Sequence, residues 1–320
     1  MDKYVPIDSL EIPRFAEIKT FMRLPNIRTV EGIDYAVIGV PFDTASTYRT
    51  GSRFAPSAIR EISSLIKPYN MPLNINVVEW LSGVDYGDIA VIPGYIEETY
   101  KRIEVGFNPI VKAGVIPICL GGDHSITLGE LRAIAKEYGP VALIQFDSHF
   151  DTIDSYFGMP YNHGTVFSRA IEEGLIDVEH SIQVGMRGTF YSANDLEGSL
   201  NLGFKVITAF EMRKMGLQEV AKQIIERVGD TKAFLTFDID FVDPAYAPGT
   251  GTIEVGGFTS YETLDLIREL KNIKFVGYDM VEVLPSFDPT QITSFLGSNI
   301  VFEFISIIAH QKREKIKIDL

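Results

Sequence analysis

The chain is short of cysteine, histidine, tryptophan and basic residues, and each shortage narrows what it can be. Cys119 is the only cysteine, so no disulfide can form within the chain. The expected setting is therefore reducing, the cytoplasm. Its surroundings, V-I-P-I-C-L, make Cys119 a core residue in preference to a catalytic thiol. Lysine and arginine number 29 against 43 aspartates and glutamates, a formal net charge of −14. A nucleic-acid partner needs a basic surface to offset phosphate charge, so none is expected. The same balance is compatible with a cationic small molecule. The start, M-D-K-Y-V-P-I-D-S-L, lacks a basic region followed by an apolar one, so no signal peptide is expected. No uninterrupted apolar run reaches the roughly 18 residues that span a bilayer. The nearest, Ile300–Ile308, is broken by Glu303 and Ser306, and no membrane partner is expected.

What is present is a hydrophobic content of 46% with 22% charged residues, enough to bury a large core. Residues 1–33 are punctuated by Pro6, Pro13 and Pro25 and read as an irregular N-terminal arm. From residue 34 to 320, short apolar runs alternate with helical patterns, with no linker, repeat or charge block. Strands are expected near Tyr35–Val40, Val84–Val91, Val115–Leu120, Val141–Phe146, Ser181–Val184, Lys205–Thr208, Phe234–Phe237 and Phe275–Tyr278. Helices are expected near 56–66, 96–113 and 128–138, from just after Tyr161–His163 through Ala170–Glu173, and near 217–228, 261–270 and 292–310. This alternation predicts one α/β domain, a mainly parallel sheet of about eight strands between two helical layers.

The stretch Q-F-D-S-H-F-D, Gln145–Asp151, stands out within that pattern. Asp147, His149 and Asp151 alternate directly behind an apolar strand, and in an extended chain alternate side chains share a face. Burying two unpaired carboxylates there would be costly, so a cation is the natural companion. Two further polar clusters also follow strands: Gly121–Ser125, with His124 behind two glycines, and Asp238–Asp240. In open parallel sheets, ligands bind beyond the carboxyl ends of strands near a switch in strand order. The clusters supply four aspartates and two histidines. One octahedral ion could use all six, but two divalent cations would neutralise the four carboxylates. Oxygen-rich ligation with some imidazole favours Mn²⁺ over Co²⁺, Fe²⁺ or Zn²⁺. His163, in Y-N-H-G-T, is a candidate proton carrier; on its own it reads more readily as a structural histidine. Arg49 and Arg53 could bind an anion, although pairing with nearby carboxylates is the commoner arrangement.

Together, L-G-G-D-H-S-I-T, F-D-S-H-F-D and T-F-D-I-D-F-V-D-P-A-Y-A-P-G-T-G-T resemble the three signatures of the ureohydrolases, the arginase and agmatinase family. G-V-P-F-D-T, Y-R-T-G-S-R-F-A-P-S-A-I-R, D-Y-G-D-I, Y-N-H-G-T-V-F and M-V-E-V-L-P are similar to the agmatinase branch. The resemblance implies an arginase-like fold and a dimanganese hydrolase that cleaves a guanidino compound to urea and an amine. It implies that His124, Asp147, Asp151 and Asp238 hold one Mn²⁺, and Asp147, His149, Asp238 and Asp240 the other. A water made acidic by the metals would attack the guanidinium carbon. Asp151 would pass a proton to the departing amine, His163 would exchange protons with solvent, and Glu282 would hold the guanidinium. The family forms trimers or hexamers, so a homo-oligomer is implied.

Agmatine, giving putrescine, is the leading expectation for the substrate. After the central motif the chain reads T-I-D-S-Y-F-G-M-P-Y-N-H-G, lacking the Asn/Ser-rich stretch with which arginases anchor an amino acid. A departure is G-T-G-T-I-E-V-G-G, where Ile253 and Val255 replace the two prolines of agmatinases. The nearest rivals are hydrolases of 4-guanidinobutanoate or guanidinopropionate; a substrate carboxylate would call for a basic residue near the pocket, such as Arg49 or Arg187. A catalytically silent homologue serving in assembly or regulation is the rival of another class, and a one-zinc deacetylase on a similar sheet is a further alternative.

Overall fold

Eight of the ten strands join one parallel sheet, whose inner members include strands buried on both faces. A computed structural model of the chain describes residues 3–192 and 194–318. The strands are β1 (Tyr35–Gly39), β2 (Tyr69–Asn70), β3 (Ile75–Asn76), β4 (Gly83–Asp88), β5 (Ile116–Leu120), β6 (Ala142–Phe146), β7 (Ile182–Val184), β8 (Lys205–Ile207), β9 (Ala233–Asp238) and β10 (Phe275–Val281). The helices are α1 (Ala55–Ser63), α2 (Val77–Trp80), α3 (Ile96–Lys112), α4 (Thr127–Tyr138), α5 (Val166–Glu172), α6 (Asn194–Asn201), α7 (Ala209–Met215), α8 (Leu217–Val228), α9 (Ser260–Glu269) and α10 (Ile292–Ile318). The sheet order is β4-β1-β5-β10-β9-β6-β7-β8, all parallel, and β2 and β3 form a separate antiparallel hairpin. All eight strands predicted from the sequence belong to this sheet. Every residue of β6 and β9 is buried, as expected for strands covered on both sides.

Strands β5 and β6 follow one another in the chain, yet β10 and β9 lie between them. This is the switch in strand order at which parallel sheets bind ligands. The register aligns Leu120 with Met280, Met280 with Phe237, and Phe237 with Phe146. The residues that follow these four therefore emerge side by side at one edge. Beneath them, Phe146, Phe237, Phe241 and Phe258 stack in a buried aromatic layer, with Phe241 and Phe258 4.7 Å apart. Such contacts fix the floor of the site by packing.

Residues 3–33 are irregular apart from a single turn, Phe21–Arg23. Phe21, Met22 and Leu24 are buried in the chain's own core, and the Phe21 N–H donates to Asp85 Oδ2 at 2.8 Å. By length and composition, Ile292–Lys315 of α10 could cross a membrane, with a mean hydropathy of 1.7; 83% of its most apolar window is buried within the protein. Glu303 and Ser306 are satisfied inside it: Glu303 accepts from Arg268 (2.5 Å) and Asn70 (2.8 Å), and Ser306 accepts from Asn70 (3.0 Å). Helices α2, α6 and α7 were not foreseen. They have four, eight and seven residues, too short for an apolar repeat to show. The Thr208–Glu211 capping box opening α7 was the one legible signal.

Candidate metal centre and active site

All six side chains from the three clusters meet beyond the central strands. His124 Nδ1 lies 2.9 Å from Asp151 Oδ2, 3.2 Å from Asp147 Oδ2 and 3.5 Å from Asp238 Oδ2. His149 Nδ1 lies 3.0 Å from Asp240 Oδ2 and 3.5 Å from Asp147 Oδ1. Two groups thus take shape, His124 with Asp147 and Asp151, and Asp147 with His149 and Asp240, each with its donor atoms within 4.8 Å of one another. Asp147 belongs to both. His124 Nδ1 and Asp240 Oδ2 are buried without a hydrogen bond despite these close neighbours. Crowded, inward-facing, unsatisfied donor atoms of this kind fit a pair of cations.

The local backbone is less regular than the period of two suggested. Asp151 has a positive φ of 52°, so the chain leaves the extended conformation before the third ligand. Alternation alone does not place Asp151; a left-handed turn does. Glu282, directly after β10, also has positive φ, 62°. Non-glycine residues in this region carry strain and concentrate at functional sites.

Burial and mutual repulsion govern the charges. Burial pushes Asp238 well above the carboxylate range, and Asp240 and Asp147 add to the effect. Burial also raises Asp147, but His124 and His149 outweigh it and hold that carboxyl below its ordinary value. Burial opposes charge on His124, yet the carboxylates around it, led by Asp147, push its pKa well up. All three shifts express carboxylates gathered where water cannot screen them.

His163 and Glu282 form a second unit beside the first. His163 Nδ1 lies 3.0 Å from Glu282 Oε1, which also accepts the His124 N–H at 3.0 Å. The Thr47 N–H donates to His163 Nε2 at 3.1 Å, so in the neutral ring the proton sits on Nδ1. Burial works against charge on His163, but its hydrogen bond to Glu282 and the charges of Glu282, Asp151 and Asp123 together outweigh burial and raise the pKa to about 9. Oε2 of Glu282 is buried and unpartnered. Asp123, raised to about 7 by burial and then by Glu282, anchors the loop by accepting from the Ala45 N–H (2.9 Å) and Ser125 N–H (3.1 Å).

Several residues that hold this arrangement were not singled out from the sequence. Gln145 Nε2 donates to Asp147 Oδ2 (2.7 Å), and Gln183 in turn donates to Gln145 Oε1 (2.6 Å). Ser148 gives Asp240 Oδ1 both its N–H (2.9 Å) and its hydroxyl (2.7 Å). Thr236 Oγ1 meets His124 Nε2 at 2.8 Å, turning Nδ1 towards the carboxylates. Polar residues inside the buried strands β6, β7 and β9 were the available clue, since such positions are otherwise apolar.

A cavity of about 570 Å³ opens above His149, Asp151, His163 and Asp238. Thr47, Tyr156, Thr189, Phe190, Tyr191, Asp195 and Thr252 form much of its wall. No lysine or arginine among the described residues lines it. Arg187 instead spends its guanidinium on carbonyls of Gly185, Asp240, Phe241, Val242, Glu254 and Val255. Arg49 lies over the Phe287 ring, 4.6 Å from its centre, and Arg53 pairs with Asp43 at 2.5 Å. Ile253 and Val255 are exposed and do not line the cavity, and Arg187 and Asp243 hold their loop in place of the missing prolines.

Residues 33–306 match the arginase family. The chain belongs to that family: it is a hydrolase of linear amidine C–N bonds in guanidino compounds, binuclear and metal-dependent in its class. It is 40% identical to guanidinobutyrase of Pseudomonas aeruginosa, over 96% of this chain and 98% of that protein. It is 39% identical to agmatinase of Salmonella newport, over 92% and 94% respectively. The structure of proclavaminate amidino hydrolase from Streptomyces clavuligerus superposes with a TM-score of 0.88 at 39% identity, covering 93% of this chain and 99% of that one.

Proposed function

We propose that the chain hydrolyses an amine-terminated guanidine, agmatine, to urea and putrescine. The observation that carries this reading is the cavity wall above the candidate metal ligands, which offers the carboxylate of Asp195 and, among the described residues, no lysine or arginine. A cationic tail is stabilised there, whereas a carboxylate tail meets like charge. Arg49 and Arg187, the cations available from the sequence, are both engaged elsewhere.

His124, Asp147, Asp151 and Asp238 would hold one divalent cation and Asp147, His149, Asp238 and Asp240 the other, with manganese suited to the oxygen-rich set. Such a pair supplies Lewis acidity and a water acidic enough to act as nucleophile near neutral pH. The chain's own groups do the rest. Glu282 Oε2, without a partner, receives a guanidinium N–H and orients the carbon for attack. Asp151 carries a proton to the departing amine. His163, between Thr47 and Glu282 on the cavity wall, exchanges protons with solvent. Release of urea and the amine completes the reaction.

A second reading, a guanidino acid such as 4-guanidinobutanoate, draws on the hydroxyls of Thr189, Tyr156 and Tyr191 in the same wall, which can donate to a carboxylate. Urea release from a panel of guanidino compounds with Mn²⁺ present decides between the two. Agmatine is expected to give the highest kcat/KM. A higher value for 4-guanidinobutanoate or 3-guanidinopropionate would overturn the amine assignment, and no urea from any compound would point to a silent homologue.

A further inference from the structure

Protons pass through His163 in the proposed chemistry, and both nitrogens of its ring are engaged. Nδ1 faces Glu282 Oε1 at 3.0 Å, in the buried part of the site. Nε2 faces Thr47, whose N–H lies 3.1 Å away and whose hydroxyl oxygen lies 2.8 Å away. An amide N–H only donates, so of these two groups only the hydroxyl can accept. A proton on Nε2 therefore has one recipient within hydrogen-bond reach among the described residues, Thr47 Oγ1. Thr47 is half-buried and lines the cavity. The loop that carries it, residues 40–51 after β1, is registered to His163 at the backbone. The His163 N–H donates to the Ala45 carbonyl at 3.3 Å, and the Ala45 N–H donates to Asp123 Oδ2 at 2.9 Å. Further along, the Gly51 N–H donates to Asp43 Oδ2 at 2.8 Å and closes the loop on itself. None of these ties uses the Thr47 side chain, so its hydroxyl is not what holds the loop in place.

We propose that Thr47 is a positioning residue for proton transfer, its hydroxyl relaying protons between His163 Nε2 and solvent in the cavity. As the His163 imidazolium gives its Nε2 proton to Thr47 Oγ1, the hydroxyl hydrogen of Thr47 passes to a water molecule. The Nε2–H bond and the old Oγ1–H bond break, a new Oγ1–H bond and a third O–H bond on the water form, and threonine ends as it began. His163 is left neutral with its remaining proton on Nδ1, donated to Glu282. The Thr47 N–H favours that outcome, because it can donate to Nε2 only when Nε2 carries no proton. The reverse sequence loads the ring. The inference rests on the guanidino-hydrolase reading but not on which tail the substrate carries.

The test is urea release from agmatine and 4-guanidinobutanoate by the Mn²⁺-loaded full chain, with kcat and KM measured separately. The variants are Thr47→Val, Thr47→Ala and Thr47→Ser, each checked for melting temperature and metal content. A positioned acid–base group contributes about 10²- to 10⁴-fold. Thr47→Val keeps the histidine and loses only its relay, so kcat is expected to fall by about 10-fold or more with KM within about threefold. Imidazole in the buffer, a small proton carrier, is expected to recover part of that loss in a concentration-dependent way. Thr47→Ser, which keeps the hydroxyl, is expected to regain most of kcat. A Thr47→Val kcat within about threefold of wild type overturns the inference while the guanidino-hydrolase reading stands. A loss that imidazole lifts at no concentration overturns it too, since the hydroxyl would then only hold the ring. Wild-type protein that releases urea from no guanidino compound overturns both. Should Thr47→Val not fold, Thr47→Ala decides by the same two measurements.

Discussion

The hydrogen bond from His163 Nδ1 to Glu282 Oε1, 3.0 Å long, joins the proposed proton carrier to the carboxylate proposed to bind the guanidinium, and leaves Glu282 Oε2 without a partner. The two residues are far apart in sequence, and Glu282 favours the charged form of His163. Glu282 raises His163 to about 9 against the effect of burial. Because the folded pKa lies above the unfolded value of about 6.5, the stability from this contact is fully present below about pH 6.5. It is lost as the pH rises through about 9. Glu282→Gln is expected to remove that pH-dependent part of stability, read as a melting temperature measured from pH 6 to 10. The same change is expected to lower kcat/KM about 10²- to 10³-fold, the scale for removing one partner of a buried charge pair. A variant within threefold of wild type would show that Glu282 does not bind the guanidinium.

Metal removal is the most direct probe of the six-residue cluster. Chelation is expected to abolish urea release and to lower the melting temperature, because four carboxylates then face each other uncompensated. A ligand held at 1,000 times its Kd stabilises by about 4 kcal/mol, which corresponds to roughly 8–16 °C at about 2–4 °C per kcal/mol. Adding Mn²⁺ should restore both properties, and calorimetry should count two ions per chain. A stoichiometry of one would contradict the paired arrangement.

Glu130 is buried in α4, where its carboxyl has the weakly donating Cys119 thiol beside it and no other hydrogen-bond partner among the described residues. Burial pushes its pKa well above the ordinary carboxylate value, and Asp279 adds to the effect. The folded protein therefore keeps a proton that the unfolded chain releases above about pH 4.3, so Glu130 lowers stability as the pH rises from there towards its own raised pKa. Glu130→Leu is expected to stabilise the protein by about 1–3 kcal/mol at pH 7 and to flatten the pH profile. Denaturant titration at pH 5 and pH 7 checks this; a destabilised Leu variant at pH 7 would mean that Glu130 makes an interaction of net benefit.

Arg187 binds carbonyls from the segments after β7 and β9 and from the loop carrying Ile253 and Val255. Lysine keeps the charge but not the planar fork. Arg187→Lys is expected to lower Mn²⁺ affinity by about 10-fold or more, through the Asp240 loop, with a smaller change in KM for substrate. Titration of apo protein with Mn²⁺ reads the effect directly, and an unchanged affinity would confine Arg187 to general stability.

The sheet was legible because strands buried on both faces read as short, largely apolar runs, clearest at Tyr35–Val40, Val115–Leu120 and Val141–Phe146. The short helices were not, since seven or eight residues such as α6 and α7 cannot display a repeat. His124, Asp147, His149, Asp151, Asp238 and Asp240 were legible as types, because charged residues directly after apolar strands contradict the local pattern. Asp151 was placed on the right side by the wrong geometry: its left-handed backbone, not strand alternation, turns it inward.

By itself the sequence determined the sheet, the six candidate ligands and the family to which their motifs belong, because apolar periodicity and charge at strand ends are local properties. Only the tertiary structure decided that β10 and β9 insert between β5 and β6, and with that which side chains meet. It also decided where the arginines go: Arg49 onto a ring and Arg187 into a net of carbonyls, leaving the cavity wall without lysine or arginine among the described residues. The physical reason is range. Strand order, the strained turns at Asp151 and Glu282, and the tie between Thr47 and His163 are fixed by contacts between residues far apart in the chain, which no local pattern encodes.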